Sequence, residues 1–128
     1  MAFYDFGDGN GPVSADPHLN GGGQVATSAT VAATAYIASG AKVFGTASVT
    51  GLSKVYDTAS VSGTAIVSGA AMIYGSAIIF EAAQVKDRAQ VYDSAQVSGT
   101  AIIQGNCQVY DTATVTLAAT ISATSPDT

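Results

Sequence analysis

Few residues in this chain could carry chemistry, and their spacing does not bring them together. There is one histidine, His18, and one cysteine, Cys107. General acid–base and nucleophilic catalysis need His, Cys or carboxylate groups within hydrogen-bond reach of one another. No histidine stands near Cys107 in the sequence. His18 lies in a Gly/Pro-rich segment and reads as a cap or surface residue, while Cys107 reads as a small buried hydrophobe. Asp5, Asp8 and Asn10 in DFGDGNG have the look of a calcium loop, but the 12-residue frame closed by Glu is absent. The segment is therefore expected to be a turn-rich cap. Asp57, Asp93 and Asp111 recur beside tyrosines; they could chelate a divalent cation, and solvated turn acids are the simpler expectation. No catalytic residue, metal or cofactor is expected.

Tyrosine offers the strongest pattern. Tyr56, Tyr74, Tyr92 and Tyr110 recur at every eighteenth place, so four of the six tyrosines fall in one column. Such rings can stack on each other, grip a sugar ring or seat a neighbouring subunit. A stacked ladder with an interface role is expected, because exposed aromatic rows rarely stay bare.

The element that positions this column is a repeat. From Gly23 to Thr124 the sequence divides into seventeen hexads without insertion or deletion. The third place is Val twelve times and Ile five times; the first is Ala fourteen times, with Gly23, Ser53 and Cys107 as the exceptions. Residues two apart on a strand share a side, so the first and third places face inward and the second faces out. Invariable β-branching favours strand, and a period of six would spiral around a helix instead of forming a face. Gly, Asp, Ser and Thr gather where the chain must turn. Three hexads span the tyrosine interval, so three short strands and three corners make one coil, giving about 5.7 coils. The inward column is expected to hold Val43, Val49, Val55, Val61, Val67, Ile73, Ile79, Val85, Val91, Val97, Ile103 and Val109.

Composition fits that architecture. Ala, Gly, Thr and Ser make up 65 of 128 residues, charged residues are 10%, and net charge is −5. Hydrophobic content of 48% argues against disorder, and a single cysteine excludes a disulfide framework. Four Lys+Arg make a nucleic-acid or anionic-membrane partner unexpected, and no apolar run is long enough to insert in a membrane. The start MAFYDFGDGNG has neither a basic nor an apolar leader region. A cytoplasmic location, or a virion or extracellular one reached without a signal, is expected. The chain is expected to divide into a lead-in (1–22), a solenoid (23–124) and a short tail (125–128).

The runs GTASVT, DTASVS, GTAIVS, DSAQVS and GTAIIQ resemble hexapeptide-repeat proteins, over about four-fifths of the chain. That resemblance implies an all-β, left-handed parallel β-helix, a triangular β-solenoid, and its handedness comes from the resemblance alone. The low-charge V-x-G/D-x-A-x style is similar to repeat-only proteins of bacterial and prophage genomes. Many members of the family are acyltransferases, and some are zinc-dependent carbonic anhydrases, both of which need histidines that this solenoid lacks. The family commonly packs solenoids side by side.

Outward aliphatics point the same way. Ile66 and Ile102 share one face with Gln84 between them, and Met72 and Ile78 sit on the other two. The expected function is a non-catalytic structural module that self-associates, side by side or end to end, into a rod, filament or phage or surface appendage. The expected partner is the chain itself, with other appendage components or glycans as further candidates. A surface-recognition protein for carbohydrate or ice is the alternative, followed by an acyltransferase. Ice binding is disfavoured because only Thr30, Thr114 and Thr120 hold the outward strand place, while Thr46, Thr64 and Thr100 make a partial row on one edge.

Overall fold

The structure is a computed structural model that describes residues 2–5, 12–18, 20–105, 108–112, 114–115 and 120–123. Cys107, Asp8, Asn10 and the tail 125–128 lie outside the described residues.

From Gln24 onward, each hexad delivers one short strand ending on or just after its Val or Ile, and successive strands step around three faces. The first face carries Gln24–Ala26, Lys42–Val43, Ser60–Val61, Ile78–Ile79, Gln96–Val97 and Thr114–Val115. The second carries Thr30–Val31, Ser48–Val49, Ile66–Val67, Gln84–Val85, Ile102–Gly105 and Thr120–Ala123. Tyr36–Ile37, Lys54–Val55, Met72–Ile73, Gln90–Val91 and Gln108–Val109 form the third. Within each face these strands are parallel and pair in register with the strand three hexads on, as Ile66 with Gln84 and Val67 with Val85. The product is an all-β, parallel, three-sided solenoid of about five turns.

A residue's N–H donates to a carbonyl of the next coil: Ser48 to Ala65 at 2.9 Å, Thr50 to Val67 at 2.8 Å and Tyr56 to Ile73 at 2.9 Å. Most backbone polar groups are thus satisfied between coils, while first-place N–H groups close the corners within a coil, as Ala65 to Ser62 O at 3.3 Å. Inside, the small first-place residues and the branched third-place residues make one continuous core. Of the twelve inward Val/Ile positions named above, eleven have no exposure and Val109 has 4%. Ser53 takes an Ala slot, and its buried hydroxyl donates to the Thr50 carbonyl at 2.8 Å, which removes the penalty of a bare polar group.

The fifth place of the hexad makes the corner. From Gly45 to Asp111 the chain enters the left-handed region there, with φ 68° at Gly63, 69° at Gly75, 60° at Asp57 and 57° at Glu81. A Cβ added to Gly63 would meet the Glu81 nitrogen at 2.7 Å, so close coil stacking as well as torsion favours glycine.

Ahead of the solenoid, β1 (Ala2–Asp5) and β2 (Pro12–Pro17) form an antiparallel hairpin, and β2 pairs antiparallel with Gln24–Ala26. Val13 and Phe44 pack on Ala15 and Ala26 beneath it. Residues 20–23 cover the first strand of the third face: Ile37 N–H donates to Asn20 O at 3.0 Å, and Gly23 N–H to Ile37 O at 2.9 Å. Among the described residues the first strand of the second face, Thr30–Val31, has no strand on its N-terminal side.

Candidate functional site

The tyrosine column occupies the corner that follows the third face. Tyr56, Tyr74, Tyr92 and Tyr110 stack with centroid spacings of 5.2, 4.9 and 5.3 Å and interplanar angles of 7°, 3° and 9°. The in-register coils impose that spacing, which is close to the strand separation in any sheet. The Tyr74 hydroxyl donates to Gln90 Oε1 at 3.4 Å and the Tyr92 hydroxyl to Gln108 Oε1 at 3.3 Å, tying each ring to the outward strand residue of the next coil. Burial raises the pKa of Tyr56 above the phenol value, with the Asp57 charge adding to it. Burial also leads for Tyr74, followed by the flanking Tyr92 and Tyr56 and by Asp93 and Asp57. Tyr92 rises for the same reasons, burial first, then Tyr110, Asp93 and Asp111.

The ladder does not end where the column ends. Its next place down is Ala38, which has no ring, and Tyr36 from the outward strand place closes the stack edge-on to Tyr56 at 6.5 Å and 73°. Tyr36 falls out of phase with the column, so periodicity alone does not find it.

Beside this step lies a groove of about 880 Å³ across the early coils of the third face. Tyr36, Tyr56, Leu52, Met72, Lys54 and Asp57 are among its lining residues, with Asn20 and Thr34. Leu52 is 65% exposed and Tyr36 38%. The signal for Leu52 was available: it is a large apolar side chain at a corner place that Thr34, Ala70 and Arg88 also occupy.

The acids of the corners serve the backbone. Asp57 accepts the Gly75 N–H at 3.0 Å, Glu81 the Gly99 N–H at 2.7 Å, Asp87 the Gly105 N–H at 3.1 Å and Asp93 the Asp111 N–H at 3.2 Å. Each carboxylate holds the corner amide one coil on. Among the described residues no three His, Cys, Asp or Glu side chains gather as metal ligands would. Corner hydroxyls complement the acids by donating to carbonyls, Thr46 to that of Gly63 and Thr64 to that of Glu81, both at 3.2 Å. His18 Nε2 bonds to the Ala35 carbonyl at 2.9 Å, beside Asn20 Nδ2, which donates to the same oxygen at 3.1 Å.

Ile66 and Ile102 stand on the second face on either side of Gln84, Met72 on the third and Ile78 on the first. Ile66 is 41% exposed. Fold and site together define a parallel β-solenoid carrying an external aromatic ladder. Searches against family models, curated proteins and solved structures give no match for this chain.

Proposed function

We propose that the chain is a non-catalytic structural part, a stiff three-sided rod of the hexapeptide-repeat, left-handed type that associates side by side with its own copies. The observation that carries this is the large apolar residues set on the outside of flat sheets, Ile66 at 41% exposure above all, where they add nothing to a core already filled by Ala and Val/Ile. Side chains on a parallel sheet stand in straight rows, so two such faces can interlock over several coils. A phage or surface appendage is the kind of setting in which a rod of this sort serves.

Three further features support a structural role over a catalytic one. The His18 ring is engaged with a strand-edge carbonyl, the corner carboxylates hold amides, and the corner threonines hold carbonyls. The hairpin of β1 and β2 runs antiparallel along the first coil, which favours lateral over end-to-end contact at that end.

Sedimentation velocity across a concentration series tests the reading. The wild-type chain is expected to populate dimers or trimers at micromolar concentration, and Ile66→Lys to shift the population toward monomer with an unchanged circular dichroism melt. A chain that stays monomeric throughout overturns it.

A further inference from the structure

We propose that the groove on the early coils of the third face is a binding site for a neutral oligosaccharide. The lining joins three features that pyranose recognition needs. Tyr36 and Tyr56 meet at 73°, so the rings present a bent aromatic surface, and the exposed Tyr36 ring is open to the C–H face of a sugar. Leu52 and Met72 add apolar lining. The volume of about 880 Å³ falls within the usual range for ligand clefts and suits two or three hexose rings.

Hydroxyl groups both donate and accept, so a site for them needs both signs of partner. Lys54 supplies a donor: its ammonium has no ion pair or hydrogen bond to any other described residue. Asp57 supplies an acceptor, since one carboxylate oxygen takes the Gly75 amide and the other remains for a ligand. Thr34 donates to the Gly51 carbonyl at 2.6 Å, which leaves its oxygen lone pairs as a second acceptor. Lys54 and Asp57 leave the lining without net charge, and the chain's net charge of −5 disfavours uronic and sialic acids. This site does not depend on self-association through the second face, because Ile66 lies outside it.

Amide chemical-shift titration with cellotriose, maltotriose and chitotriose, and with 3′-sialyllactose as the anionic comparison, tests the site. At least one neutral trisaccharide is expected to shift amides in segments 34–38 and 52–57 with a dissociation constant on the order of 1 mM. Lys54→Ala and Tyr36→Ala are each expected to weaken binding about tenfold, and Tyr92→Ala, farther along the ladder, to leave it unchanged. Absence of shifts with every neutral sugar at about 10 mM overturns the proposal. So does tighter binding of sialyllactose, or equal binding by Lys54→Ala when its melt matches wild type. Sedimentation of Lys54→Ala reports separately on association.

Discussion

From Gly45 to Asp111 the chain turns through positive φ at the fifth place of each hexad, and two residue types meet that demand differently. Glycine has no Cβ to strain the turn or strike the next coil. An acid accepts the strain and recovers energy by holding the amide one coil on, as Glu81 holds Gly99 at 2.7 Å. Left-handed torsion costs an L-residue about 1–2 kcal/mol, and a hydrogen bond to a charged group is worth about 1.5–3 kcal/mol. Glu81→Ala keeps the strain and loses the bond, so it should destabilise by about 1–3 kcal/mol. Glu81→Gly loses the bond but sheds the strain, and should fall between wild type and Ala. Thermal melts of the two variants check the order; an Ala variant more stable than the Gly variant contradicts this account of the corner.

At the scale of elements, the ladder makes stability sensitive to alkali. Burial leads in raising the pKa of Tyr56, Tyr74 and Tyr92 in the folded chain. The folded state therefore holds its phenolic protons more tightly than the unfolded state. The linked stability is fully present below the unfolded value of about 10 and is lost as pH rises through the higher folded values. Denaturant midpoints should be flat up to about pH 10 with respect to these groups and then fall, and Tyr74→Phe should make that fall shallower. A midpoint that rises above this pH would contradict it.

The strands, the inward columns and the three-hexad coil were all legible in the sequence, because one β-branched residue every six places leaves a single consistent register. The tyrosine column was legible for the same reason. Tyr36 was not, since it reaches the stack from a strand place and not from the corner. The partners of the corner acids were also hidden: composition marks Asp57 and Asp93 as turn residues, but only the stacked coils show which amide each one meets. The lead-in hairpin follows no hexad, so its antiparallel pairing left no periodic trace.

At the scale of the molecule, the first strand on each face is a template for another strand. β2 closes the first face and residues 20–23 close the third, both within the same chain. A variant lacking residues 1–17 uncovers the Gln24–Ala26 edge. Its apparent mass should rise with concentration into elongated species by light scattering, beyond that of the full chain. If the truncated variant keeps the size distribution of the full chain, the hairpin is not what limits growth along the axis.

The coil-on-coil register also governs how such a chain can change length over generations. Duplicating or deleting three consecutive hexads adds or removes one whole coil, and every neighbour above and below meets the same kind of partner as before. Gain or loss of a single hexad preserves each strand yet turns everything downstream by one side of the triangle. Made between Tyr74 and Tyr92, that change would set Tyr92 and Tyr110 over a different corner from Tyr56 and Tyr74, and the stack would be cut in two. Lineages of this rod should therefore vary in steps of whole coils through the region that bears the ladder.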